Sequence, residues 1–115
     1  MIILKKKIKL EDLATIESKT FFEKMIKCVV DIDKKIIAVN AGMHSDLEQL
    51  LLDNGSKQQS LYGINIMLND GEVEFDSMIN PPRNREAGYP RVSTYVADPK
   101  ARKRIVKVVE KWIKR

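Results

Sequence analysis

The spacing of apolar residues predicts a chain that alternates short strands with helices. Ile2 to Leu4 reads as a first short strand. Over residues 10–20, Leu10, Leu13 and Ile16 recur at three-residue intervals while Glu11, Asp12, Glu17 and Lys19 fill the other positions. That is a helical period, with acids near the positive end of the helix dipole. From Met25 to Ile32 the chain is apolar and rich in β-branched residues, and beyond Asp33-Lys34 comes Ile36-Ile37-Ala38-Val39. Two such runs joined so closely predict an antiparallel hairpin. Ala41-Gly42 ends that strand, and Ser45-Asp46-Leu47-Glu48 fits a capping box at the start of a helix. Leu47, Leu50 and Leu51 form the apolar stripe of this helix, and Asn54-Gly55 supplies its left-handed stop.

The pattern then returns to strands. Leu61 to Leu68 is apolar apart from Gly63 and Asn65, and Asn69-Asp70-Gly71 is a turn signal. The partner strand alternates, with Val73, Phe75, Ser77 and Ile79 on one face and Glu72, Glu74 and Asp76 on the other. Residues 80–97, rich in Pro and Arg, read as a long irregular loop with a short strand at Val92 to Val96. Asp98-Pro99 opens a last helix with an apolar stripe of Ala101, Ile105, Val108, Val109 and Trp112. The expected fold is α+β, a single domain over residues 1–115. A single layer of mainly antiparallel sheet, two hairpins plus the N-terminal strand, packs against about three helices.

Composition bounds the answer. Leu, Ile, Val and Phe make up about 30% of the 115 residues, enough apolar surface to exclude intrinsic disorder. No apolar run approaches the roughly 18 residues that span a bilayer. Lys5, Lys6 and Lys7 follow the apolar Met1-Ile2-Ile3-Leu4, the wrong order for a secretory signal, so a cytoplasmic protein without membrane contact is expected. Cys28 is the only cysteine, which excludes an internal disulfide and a Cys-based zinc site, and its apolar neighbours predict a buried thiol. The net charge of +5 belongs to the two ends: residues 99–115 hold eight basic residues and one acid, whereas residues 10–98 carry a net −6.

Four groups of residues are candidates for chemistry. Arg83, Arg85 and Arg91 are three of the six arginines, and a guanidinium fork grips carboxylate or phosphate with two parallel bonds. Asn80 adds an amide beside them. Asn65 and Ser77, polar positions within apolar strands, are candidates for the floor of a pocket below that loop. Asn65, Ser77, Asn80, Arg83 and Arg85 together predict a binding site for a small anionic or polar ligand, and Arg83→Ala should abolish binding while sparing folding. The alternative is a small hydrolase or transferase with His44, the only histidine, as base and Arg83 holding the substrate. A second alternative is nonspecific nucleic-acid binding through Lys103, Arg104, Lys107 and Lys111 of the last helix. Short edge strands also leave room for a homodimer. No phosphate-binding, dinucleotide, paired-His or nucleophile-elbow motif is present, so neither a cofactor nor a metal is expected.

Tyr62-Gly63-Ile64-Asn65 and Phe75-Asp76-Ser77-Met78-Ile79-Asn80, with Val29-Val30-Asp31-Ile32 and the Gly42 to Leu52 segment, resemble a small family of prokaryotic proteins classed as a domain of unknown function. The resemblance spans nearly the whole chain, through Asp98-Pro99 and the terminal helix. It implies a prokaryotic cytosolic origin, no established activity and no catalytic residues to transfer.

Overall fold

A computed structural model, describing residues 1–17, 20–90 and 93–115, is built on a five-stranded antiparallel sheet. The strands are β1 (Ile2–Ile3), β3 (Met25–Asp31), β4 (Ile36–Val39), β5 (Leu61–Met67) and β6 (Val73–Glu74), in the order β1-β4-β3-β5-β6. A separate pair joins β2 (Ile8–Lys9) in parallel to β7 (Ile113–Lys114). The helices are α1 (Leu10–Leu13), α2 (His44–Asp53), α3 (Asn80–Glu86) and α4 (Pro99–Trp112). The α+β class with a mainly antiparallel sheet is as the apolar pattern predicts.

Both faces of the sheet are covered, which explains why β3 runs apolar without alternating. On one face Ile26, Cys28 and Val30 join Ile64, Ile66 and the α4 residues Ala101, Ile105, Val108 and Val109 in the larger core. On the other, Val29, Ala38 and Leu61 pack beneath Leu47 and Leu51 of α2. The β3–β4 hairpin turns through Lys35 at φ 58, a left-handed residue, and is held by Asp31, which accepts from the amides of Asp33 and Lys34 and from Ser56 Oγ. Trp112 Nε1 donates to the Lys35 carbonyl at 2.8 Å, seating α4 against this turn. Cys28 is fully buried, and burial pushes its thiol far above the ordinary range, so it stays protonated and unreactive.

Four local expectations are corrected. Ser45 does not cap α2: the helix begins one residue earlier, at His44, with Met43 as the extended residue before it and no capping side chain, and Glu48 pairs with Arg83. The helix expected over residues 10–20 is a single turn. β-Branched Thr15 and Ile16 follow it, and the Glu17 carboxylate is taken by the Met1 ammonium and Asn40. Lys19 lies outside the described residues.

The strand expected to run from Val73 to Ile79 stops at Glu74. Beyond it the chain leaves β5 for the 94–96 segment, through Ser77 N–H to Thr94 O and Val96 N–H to Phe75 O, both at 3.0 Å. Val92, the expected start of that segment, lies outside the described residues. The fourth correction is the largest: residues 80–86 are not loop but α3, with Pro81 and Pro82 in its first turn, where a missing amide costs nothing.

Candidate functional site

The expected cluster of Asn65, Ser77, Asn80, Arg83 and Arg85 divides into two places. Asn80, Arg83 and Asn84 stand at helical spacing on the inward side of α3, and all three are buried. Asn80 accepts from the Gly63 amide at 2.8 Å and donates to the carbonyls of Gly63 and Thr94. Arg83 Nε donates to the Leu61 carbonyl at 2.9 Å, and its guanidinium pairs with Glu48 of α2. Asn84 donates to the carbonyls of Ser93 and Tyr95 and accepts from the Ala97 amide. Asn80 and Arg83 therefore bind the protein's own backbone along the part of β5 that β6 does not reach, and Asn84, with one bond of Asn80, holds the 93–97 segment. Arg85 points the other way and is exposed. Arg91 lies outside the described residues.

Asn65 and Ser77 line a different feature, and His44 joins them. Strand register sets Lys27 of β3 opposite Asn65 of β5, and Asn65 opposite Glu74 of β6. The three side chains therefore form a polar row across neighbouring strands about 4.8 Å apart. The row lies on the sheet face that α2 covers, just beyond the start of that helix. It contributes to a cleft of about 470 Å³, whose walls include His44 and Ser45 at the start of α2 and Asp76 and Ser77 beyond β6. Met43 and Met78, 61% and 81% exposed, stand at its edge with the half-buried Met25.

The hydrogen bonding of Asn65 is incomplete. Its Nδ2 donates to Glu74 Oε1 at 2.9 Å, and a carboxylate only accepts, so the orientation of the amide is fixed. Its Oδ1 is buried beside the His44 ring without a well-formed hydrogen bond, in a residue only 4% exposed. An unmet acceptor of this kind costs about 1–3 kcal/mol unless a donor is supplied.

His44 is also constrained. Its Nε2 lies 2.8 Å from the Ile64 carbonyl, which must be accepting, so the neutral ring carries its proton on Nε2 and leaves Nδ1 an acceptor. Burial holds His44 below the ordinary imidazole range. Lys27 adds to that effect, while the bond to Ile64, Asn65 and the charge of Asp76 oppose it. At neutral pH the ring is uncharged. Lys27 itself leans over the Phe22 ring, 5.3 Å from its centroid.

A basic groove lies elsewhere, where Lys35, Arg104, Lys107 and Lys111 surround Ile32 and Val108. Arg104 is engaged there by Asp33 and the Ile32 carbonyl. Lys103 is exposed on the same helix. Among the described residues, no three His, Cys, Asp or Glu side chains gather as metal ligands, and no helix is long and apolar enough to cross a membrane.

Two signals for this arrangement stand in the sequence. The i, i+3, i+4 spacing of Asn80, Arg83 and Asn84 is helical, and Glu74 and Asp76 share one side of their strand with a turn directly before it. Lys27 offers no such signal, since only the strand register brings it to Asn65. No curated protein and no solved structure matches the chain. A family model described as "Protein of unknown function (DUF5674)" matches residues 2–112, and the chain belongs to that family.

Proposed function

We propose that this chain is a binding domain for a small polar molecule, and that its site is the cleft between the start of α2 and the Lys27–Asn65–Glu74 row. The observation that carries the reading is the cleft itself, about 470 Å³ and lined by the polar side chains of Lys27, His44, Asn65, Glu74, Asp76 and Ser77. His44 Nδ1 and Ser77 add further hydrogen-bonding capacity on the same walls. A wholly anionic ligand gripped by arginines has less support, because Arg83 is committed to Glu48 and the cleft carries Glu74 and Asp76. The same commitment weakens a hydrolase or transferase that pairs His44 with Arg83. A prokaryotic, cytoplasmic setting is part of the reading and rests on the family resemblance.

The test is a screen of small polar fragments by amide chemical-shift mapping on uniformly ¹⁵N-labelled protein. Binders should perturb Lys27, His44, Asn65 and Ser77 together, and Asn65→Leu should lose those perturbations. Binders that cluster anywhere else, or a screen that leaves these four residues undisturbed, would overturn the proposal.

A further inference from the structure

The seam between α4 and the β3–β4 turn forms a groove of about 460 Å³ that shares no wall with the polar cleft. Lys35 on the turn and Arg104, Lys107 and Lys111 on α4 line it, with the aliphatic Ile32 and Val108 between them. The helix is tied to the turn at both ends of this seam. Arg104 donates to the Ile32 carbonyl at 2.9 Å, while Trp112 Nε1 and Lys111 Nζ donate to the Lys35 carbonyl at 2.8 and 3.5 Å. The walls are therefore held in place by the protein's own bonds. Their charge is not balanced. Arg104 is shared with Asp33, but Lys35, Lys107 and Lys111 form no ion pair among the described residues. Lys107 and Lys111 stand one helical turn apart, where like charges repel. Glu110, the one acid of α4, lines a different cleft with Val106 and Val109.

We propose that this groove docks an acidic segment of a partner protein, one apolar side chain resting on Ile32 and Val108 while carboxylates to either side meet Lys35, Lys107 and Lys111. Charge complementarity selects the sign of the partner, and the hydrocarbon between the cations, lysine stems included, selects an anchor that a bare anion lacks. The two tethered ends, Arg104 and Lys111, are roughly 11 Å apart along the helix axis. That is about the reach of three extended residues, enough for one anchor with an acid on each side. A second copy of the chain fits less well, because a two-fold contact would set this groove against its own positive charge. Nucleic acid fits less well too. Trp112, beside the groove, has its indole N–H committed to Lys35 and the Lys111 ammonium 5.0 Å from its ring, so it offers no open platform for a base.

The experiment pans a library of random peptides on the full chain at physiological salt, then measures the tightest peptide by fluorescence anisotropy and maps it on ¹⁵N-labelled protein. Enriched sequences should place an apolar residue between acids and perturb the amides of Ile32, Lys35, Lys107 and Lys111. Changing the acids of the peptide to their amides, or its apolar residue to serine, should each weaken binding at least about tenfold, with the protein untouched. Lys107→Glu should weaken it similarly. Lys103→Glu carries the same change of charge on an exposed residue outside the groove, and screening should keep its effect within about twofold. Equal losses from the two variants, or indifference to the serine change, would reduce the groove to general electrostatics and overturn the proposal. So would enrichment without acids, displacement of the peptide by a single-stranded oligonucleotide at lower concentration, or displacement by excess unlabelled protein, which would mark a contact between copies.

Discussion

The side chain of Asn80 takes the place of a strand beside Gly63: it accepts from the Gly63 amide at 2.8 Å and donates to the Gly63 carbonyl at 3.0 Å. One amide thus satisfies both backbone groups of a residue at the open edge of β5, where β6 is too short to reach. The approach is close enough to demand glycine. A Cβ on Gly63 would lie 2.4 Å from Ser77 Cβ, beneath the chain that leads into α3.

Replacing Asn80 therefore exposes a cost rather than removing a ligand contact. Asn80→Leu leaves the Gly63 amide and carbonyl buried and unpaired, and about 2–4 kcal/mol of unfolding free energy should be lost. Gly63→Ala should cost at least as much, through the clash with Ser77. Urea denaturation of both variants measures the losses; a loss below about 1 kcal/mol for Asn80→Leu would show that water or another strand serves that edge equally well.

Arg83 follows the same logic and reverses the expectation that its removal spares folding. The residue is 4% exposed and its guanidinium pairs with Glu48, tying α3 to α2. Arg83→Ala should destabilise the protein by about 3–5 kcal/mol, because Glu48 is left partly buried without its partner. Glu48→Ala should cost a similar amount, because the guanidinium it frees is 4% exposed and keeps only the Leu61 carbonyl. A double-mutant cycle with Arg83→Ala should return a coupling of about 1–3 kcal/mol. Additive losses would contradict the pairing.

His44 makes stability depend on pH in a defined direction. Its pKa in the folded protein lies below the ordinary 6.5, so the unfolded chain binds the proton more readily than the native one. The stabilisation is fully present above pH 6.5 and is lost as the pH falls through the folded value. Unfolding free energy should therefore decline as the pH falls below about 6.5, before the carboxylates of Asp33 and Glu17, both held below their usual range, begin to titrate. His44→Gln should flatten the profile in that interval. A wild-type profile already flat there would contradict the buried neutral ring.

The basic helix sets a ceiling on polyanion binding. Lys103, Lys107 and Lys111 are exposed, while Arg104 is shared with Asp33. Any association with duplex DNA should fall with salt at a log–log slope of about −3 or shallower, near −0.9 for each phosphate neutralised. Lys107→Glu should flatten it further. Fluorescence anisotropy across a salt series measures the slope, and a much steeper one would require a wider basic surface than α4 offers.

The hairpin at 25–39, the helix over 44–53, the turn at Gly71 and the Asp98-Pro99 start of α4 were legible because each rests on local chemistry. These features depend on β-branched runs, left-handed glycines at φ 92 and 77 for Gly55 and Gly71, and the Asp98 side chain accepting from the Lys100 amide. The segment after residue 79 was not legible as a helix. Pro81 and Pro82 look like breakers, yet they sit in a first turn, and the inward side of α3 is polar where an apolar stripe marks other helices.

The candidate site was half legible. Asn65, Ser77 and His44 stood out as polar groups in apolar or capping contexts, and they do line one cleft. The arginine fork did not join them, because a guanidinium near a free strand edge and a partly buried carboxylate gains more from those partners than from solvent. Composition, local propensity and residue spacing determined the elements and which positions face a core. Strand register alone set Lys27 beside Asn65 and Glu74, and the packing of α2 and α3 decided which polar groups turn inward to the backbone and which line the cleft. Those outcomes depend on contacts between residues far apart in the chain, and no local pattern encodes them.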